Sequence, residues 1–283
     1  MIIDFIISDL TYVIIYIIIV SSFNISFGFT GLVNLGHMVF FGIGAYTSAI
    51  LTLHGTPWYF ALILAGIFTS LIGAAIAAIT VRLKGDYFQI VTLGLVFIAI
   101  AISRNWISLT RGALGLPGIP PIIKDNFYYM LFTLGMCAIC ILFFYWLTNS
   151  ETGKIFQAIR DDETATAILG KNTYAYKVIS ISISTFFAGI AGSLYVHFIK
   201  LVDPTIFDLG FFVLILAMLI AGGLASIIGS VVGVFVLSVL LTSLRFVIVS
   251  PELIGAVREM LFIVILLIIL IFKPRGMFGK VDV

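Results

Sequence analysis

Residues 58–81 read WYFALILAGIFTSLIGAAIAAITV, an unbroken run without an acidic, basic or histidine side chain, closed by Pro57 on one side and Arg82 on the other. At about 1.5 Å of rise per residue, such a run reaches across a hydrocarbon layer about 30 Å thick. The rest of the chain is written in the same way. Of its 283 residues 62% are hydrophobic and 10% charged, and the mean hydropathy is +1.26. A globular domain carries about 25% charged and about 45–50% apolar residues, so lipid is the solvent over most of this surface and an ordinary soluble domain is excluded. The formal net charge of +2, from fifteen Lys and Arg against thirteen Asp and Glu, is too small and too dispersed for a nucleic-acid footprint.

Cutting the chain at its charges and prolines with the same ruler predicts an all-α polytopic membrane protein. About nine spans result, with eight to ten compatible: 10–27, 33–53, 58–81, 87–103, 127–148, 176–197, 209–223, 226–244 and 258–272. The seventh is short and joined to the eighth through Ala221-Gly222-Gly223. All seven prolines fall between spans, where a missing N–H does no harm to a helix ladder. The opening MIIDFIISDL carries Asp4 and Asp9, no Lys or Arg and no following A-x-A site, so it is expected to stay on the chain as part of the first span. Cys137 and Cys140 lie inside the apolar run 127–147 and read as packing groups, because their C-x-x-C spacing lacks the Gly, Pro or neighbouring cation of a redox pair.

Alternating the nine spans places Arg82, Lys84, Lys154, Arg160, Lys171, Lys177, Lys273, Arg275 and Lys280 on one side. Arg104, Arg111, Lys124, Lys200, Arg245 and Arg258 fall on the other, with Asp125, Asp203, Asp208 and Glu252. Because Lys and Arg are retained in the cytoplasm, the N-terminus is expected outside and the C-terminus inside. A split helix near 28–45 or 209–230 would reverse part of this assignment.

Acids and bases are nearly absent from the spans, and small residues take their place. Gly66, Ser70, Ala74 and Ala78 recur every four residues along the third span, and Ala225, Gly229 and Gly233 along the eighth. Such stripes are helix-packing seams, since lipid gives helices no hydrophobic reason to associate and close backbone approach replaces it. Ser21, Ser22, Asn24 and Ser26, and Ser180, Ser182, Ser184 and Thr185, are expected to bond between helices. Polar atoms and glycines gather at the start of the second span, where Asn34, Gly36, His37, Gly42, Gly44 and Thr47 stand. Irregular backbone at membrane depth must be buried in protein or line a wet cavity. The segment is therefore either a discontinuous helix beside a pathway or a polar helix start bonded to a neighbour. With Gly222 and Gly223, these residues are the candidate translocation pathway. No metal-ligand spacing and no catalytic constellation is present.

The one long hydrophilic interval, 149–177, reads as a short amphipathic helix on the cytoplasmic side. Ile155, Phe156, Ile159, Ala165, Ile168 and Leu169 lie near helical spacing, Lys154, Arg160, Asp161, Asp162 and Glu163 face elsewhere, and Gly170 is placed as a stop. An apolar face turned to the cytosol is a docking surface, and three adjacent acids argue against anionic headgroups, which leaves a protein partner. On the other side, residues 110–121 form a compact Gly- and Pro-rich loop that either connects two spans, caps a vestibule or docks an external protein.

Six blocks now carry a resemblance: GLVNLGHMVFFGIGAYT at 31–47, RLKGDYFQIVTLG at 82–94, TRGALGLPGIP at 110–120, GKIFQAIRDDETATAILGKN at 153–172, LAMLIAGGLASIIGSVVG at 216–233 and KPRGMFG at 273–279. In this order they resemble the membrane permeases of ABC importers for branched-chain amino acids, of the LivM type. One departure is Arg111, where the family commonly has glycine. The resemblance implies a single transmembrane permease domain over 1–283 and an ABC importer permease fold. It also implies that 153–172 is the coupling helix seated in a cytoplasmic ATPase, with Glu163, Ala165, Ala167 and Gly170 matching the coupling motif. The implied partners are a second related permease, two ATPases and an external binding protein in a bacterial-type inner membrane. The implied solutes are leucine, isoleucine and valine, with urea or short amides open. No G-x-x-x-x-G-K-[ST] run occurs, so this chain is expected to bind no cofactor and to leave ATP and magnesium to its partners. An ion-coupled secondary transporter would also suit Gly-interrupted spans at 28–45 and 209–230, but it needs mid-membrane carboxylates, whereas Asp86 and Glu259 lie at span ends.

Overall fold

The computed structural model describes residues 2–83, 85–243, 264 and 275–279. The expected ninth span, 258–272, lies outside the described residues, as do Lys84, Arg245, Glu252, Arg258, Glu259, Lys273 and Lys280. The helices are α1 (Ile2–Asn24), α2 (His37–Leu53), α3 (Trp58–Thr80), α4 (Asp86–Asn105), α5 (Ile107–Thr110), α6 (Asn126–Asn149), α7 (Glu151–Asp161), α8 (Glu163–Ile168), α9 (Thr173–Ile199), α10 (Leu209–Gly222) and α11 (Ile227–Ser243). The strands β1 (Leu116–Pro117) and β2 (Leu201–Val202) pair antiparallel.

The all-α membrane architecture agrees with the sequence, and each of the first eight expected spans contains a helix. Among the described residues, five helices are long and apolar enough to cross a bilayer, or six if α10 and α11 count as one broken span. These two are bent by 120° from a common axis, so the chain folds back at 223–226 rather than running on. α2 is shorter than expected because 31–36 is not helical. At 17 residues it is about 25 Å long.

Caps set several boundaries. Asp125 accepts from the backbone N–H groups of Phe127 and Tyr128 at the start of α6, Ser150 from Gly153 at α7, Asp162 from Ala165 at α8 and Asn172 from Ala175 at α9. Each supplies an acceptor to donors that the first turn leaves unpaired.

α9 is the central helix, most of it buried, and it touches α2 and α3 through glycines. A Cβ on Gly44 of α2 would land on the backbone of Gly189, and one on Gly192 would land on the carbonyl of Phe41. Along α3 the fully buried line is Ala65, Thr69 and Ala77, with Gly73 against Thr185. The stripe read from the sequence lies one residue further on and flanks this line, with Gly66 under Phe186 and the Ser70 hydroxyl donating to the Ser182 carbonyl at 3.0 Å. In the hairpin of α10 and α11, Gly222, Gly229 and Gly233 meet backbone to backbone. Interhelical polar bonds appear where expected: Thr30 and Ser180 hydroxyls are 2.6 Å apart, and Ser184 donates to the Ser22 carbonyl at 2.6 Å.

Contacts sort the helix ends into two sides. On one lie the end of α1, the 223–226 turn, residues 275–279 and the segment α7–α8; Met277 and Phe278 donate to the carbonyls of Ala221 and Gly222 at 2.9 Å. On the other lie the start of α1, with Thr242 donating to Asp9 at 3.0 Å, and the loops 106–125 and 200–208, joined by the β1–β2 pair. The His197 ring bridges the Ser48 hydroxyl at 2.9 Å and the Pro120 carbonyl at 2.8 Å there.

The loop 106–125 explains the departure at Arg111, which sits at φ +58° and ψ 19°. Left-handed backbone costs an L residue about 1–2 kcal/mol, and glycine's extra freedom in the unfolded chain offsets about 0.5–1 of that. Arg111→Gly is therefore expected to stabilise the protein by up to about 1 kcal/mol, read as a raised midpoint of thermal unfolding in detergent. A lowered midpoint would show that the guanidinium makes a contact worth more than the strain.

Candidate functional site

The last turn of the first membrane helix is the hub around which the singled-out residues gather. After Asn24 the helix widens into a π-turn, Ile25–Phe29. Such turns leave backbone groups outside the regular ladder and recur at functional sites. Here the Gly28 carbonyl accepts from Nη1 of Arg160 at 3.0 Å, tying α7 to α1. The fully buried Asn24 amide reaches the other way. Its Oδ1 accepts from the Ala225 backbone N–H at 3.0 Å, and its Nδ2 donates to the Ser230 hydroxyl at 2.7 Å and to the Ser226 carbonyl at 3.0 Å. Gly28 makes this possible, since a Cβ there would collide with both the Asn24 amide and the Ala225 nitrogen. One helical turn thus binds the cytoplasmic segment of the sequence reading and the α10–α11 turn together. Beside it a cavity of about 290 Å³ opens between Phe29, Tyr145, Lys154, Gln157 and Ser226.

The amphipathic segment is two helices, not one. The chain is extended at Asp162, with φ −156° and ψ 103°, and its carboxylate caps α8. The Asp162-Glu163 pair is an N-terminal signature that could have revealed the break. Nor is the apolar face continuous toward the cytosol, as the spacing suggested. Phe156 and Ile159 are buried and point into the bundle, where Phe156 meets Tyr176, while Ile155 is half-buried. The outward surface comes from α8 and its end: Ala165, Ala167 and Gly170 are exposed, with Ile168 and Leu169 at 81% and 79%. Gly170 ends the helix at φ +79°, donating to the Ala167 carbonyl at 2.9 Å. Glu163 faces its own chain, accepting from the Lys177 ammonium and from the Thr173 hydroxyl at 3.3 Å. Arg160 also pairs with exposed Asp161, at 2.8 Å.

The candidate pathway residues divide differently. Asn34 accepts from the Gly36 N–H at 3.1 Å, and the Leu35 N–H donates to the Thr92 hydroxyl at 3.1 Å, so the irregular segment is buried against α4. His37 is buried, stacks on Phe23 with centroids 4.8 Å apart, and places Nε2 3.1 Å from the Ser22 hydroxyl. Gly42 lies under the Phe207 ring, Gly44 on Gly189, Gly222 on Gly229, and Gly223 against Gly279. Thr47 bonds its own helix at the Ile43 carbonyl. The structure brings Asn34, Gly36 and His37 together beside the π-turn and uses Gly42, Gly44, Gly222 and Gly223 for close packing. Sequence reasoning missed His197, the Tyr129 hydroxyl that donates to the Leu194 carbonyl at 2.6 Å, and the polar lining around Asp9 and Ser238, none of which carries a local motif.

Comparison with known proteins agrees with this geometry. The family model described as branched-chain amino acid transport system / permease component matches residues 5–270. The high-affinity branched-chain amino acid transport system permease protein LivM of Salmonella typhimurium is 28% identical, over 94% of this chain and 68% of that protein. The probable branched-chain amino acid transport permease protein LivM of Methanocaldococcus jannaschii is 26% identical, over 93% and 90%. The permease protein LivH of Salmonella typhimurium is 25% identical, over 95% and 92%. A match from residue 5 to residue 270, on a bundle of apolar helices with one amphipathic segment outside it, makes this chain a member of the branched-chain amino acid transport system permease family.

Proposed function

We propose that this chain is the membrane permease subunit of an ATP-binding-cassette importer and that it moves leucine, isoleucine and valine inward by alternating access. The observation that carries this is the α8 tip. Ile168 and Leu169 stand free of the bundle, while the opposite face of the same segment is locked into the spans through Phe156, Ile159 and Arg160. A fully buried Leu or Ile is worth about 1.5–3 kcal/mol relative to an exposed one, so two such side chains at a tip await a groove. In this reading the groove belongs to a cytoplasmic ATPase. Closure of two such ATPases around ATP and magnesium moves α7–α8, and Arg160 passes the movement to the π-turn and, through Asn24, to the α10–α11 turn. A second related permease completes the pathway and an external binding protein delivers the solute. The side bearing α7–α8 and residues 275–279 is then cytoplasmic, and the start of α1 faces outward.

The test is mass spectrometry of what co-purifies with the chain from gently solubilised membranes of its own cell, followed by leucine uptake in the reconstituted complex. Stoichiometric ATPases and a second permease, with ATP-dependent leucine uptake, are expected. A lone chain or homo-oligomer across several mild detergents would turn the reading to a secondary transporter. Uptake of urea or short amides in place of leucine would keep the importer and change its solute.

A further inference from the structure

On the side of the bundle where α1 begins lies a cavity of about 300 Å³, walled by α1, α9, α10 and α11. Ligand pockets run from roughly 300 to 1,000 Å³, so this one suits a small solute. Its wall has three chemically distinct parts. The polar part is Asp9, Thr242 and Ser238, the last two one helical turn apart on α11. Thr242 donates to Oδ2 of Asp9 at 3.0 Å. The Ser238 hydroxyl is buried and has no hydrogen-bond partner. The aromatic part is Tyr12, Tyr16 and Tyr195, whose rings are braced edge-on by Phe198 at 5.0 Å, Phe211 at 5.6 Å and Phe41 at 5.3 Å. The apolar part is Leu214, Met218 and Leu241.

A zwitterion with an aliphatic side chain answers all three. A carboxylate has about four lone-pair sites, so Asp9 can take an ammonium while still accepting from Thr242. The faces of tyrosine rings add attraction for the same cation. A buried hydroxyl without a partner is costly, and the carboxylate of a bound amino acid would accept from Ser238. Leu214, Met218 and Leu241 then meet the aliphatic side chain. We propose that this cavity binds the transported amino acid, with Asp9 and the three tyrosines holding the ammonium, Ser238 the carboxylate, and the apolar wall the side chain. The proposal rests on the importer reading above and assigns its solute a place.

The experiment is concentration-dependent leucine uptake by the complete importer, assembled with its own partners, comparing the wild type with Asp9→Asn, Ser238→Ala and Ser238→Thr, each checked for an unchanged elution profile. Ser238 gives up no bond on replacement by alanine, so that variant is expected to fold even if Asp9→Asn does not. Asp9→Asn is expected to lower uptake at least tenfold. Ser238→Ala is expected to raise the half-saturating leucine concentration several-fold and Ser238→Thr to bring it back toward the wild-type value. N-acetyl-leucine, which lacks the ammonium, and 3-methylbutylamine, which lacks the carboxylate, are expected not to compete. Wild-type leucine uptake with an unmoved half-saturating concentration in Ser238→Ala would overturn the site and leave the importer reading intact. A wild-type importer that moves no aliphatic amino acid would overturn both.

Discussion

Gly44→Ala is expected to destabilise the protein by about 3 kcal/mol or more, at the upper end of the cost of overpacking, and Gly44→Leu to yield no folded protein. The new methyl would fall on the Cα, carbonyl carbon and oxygen of Gly189, so there is no side chain to swing aside and the two helix axes must part. Parting them loosens the polar bonds that depend on their closeness, namely Ser193 to Ser48 at 2.7 Å and Ser48 to the His197 ring at 2.9 Å. Each such bond contributes modestly in a membrane, about 0.6 kcal/mol on average, but all are lost together. Gly135→Ala is the control, since a Cβ at that position in α6 meets nothing within 4 Å. That variant is expected to be neutral or to gain up to about 1 kcal/mol from helix propensity. The measurement is unfolding of the purified variants by titration with a denaturing detergent. Equal midpoints for Gly44→Ala and Gly135→Ala would sink the claim that α2 and α9 touch backbone to backbone.

The double variant Ile168→Gln, Leu169→Gln is expected to abolish ATP-driven uptake while leaving the permease folded. Both side chains stand in solvent, so their replacement removes no internal contact. If the tip docks as proposed, the loss of two buried apolar side chains weakens the joint by about 3–6 kcal/mol, a hundredfold or more in affinity. The readouts are leucine uptake in proteoliposomes and co-elution of the ATPases in size-exclusion chromatography. Undiminished uptake with full co-elution would remove α8 from the joint. Glu163 and Arg160 make poorer probes, since both bond the chain's own elements and their replacement mixes docking with internal packing.

The placement of helices was legible in the sequence because a bilayer acts residue by residue. A charge or a proline is costly at a given depth whatever its neighbours do, so cutting at Pro57 and Arg82 was enough to find α3. Local hydrogen bonding is just as direct, and Asp125, Ser150, Asp162 and Asn172 each cap a helix through groups three residues away or fewer. The interhelical serines of α1 and α9 were legible for the same reason, since a hydroxyl inside a span must find a partner. The coupling segment was legible as an amphipathic interval, but not which of its apolar side chains would turn inward.

That choice belonged to the tertiary structure. Phe156 and Ile168 look alike as sequence, and only the position of α7 under the π-turn, held by Arg160 on the Gly28 carbonyl, buries the first and leaves the second outside. The same holds for the fold-back at 223–226, which depends on Asn24, some two hundred positions away, and for the cavity that joins Asp9 to Ser238 and Thr242. The sequence alone determined the solvent, the helices and their caps, because those follow from each residue's transfer free energy and from bonds within a turn. Which faces meet, which glycines touch and where a polar cavity remains were decided by packing, whose energies belong to pairs of residues distant along the chain.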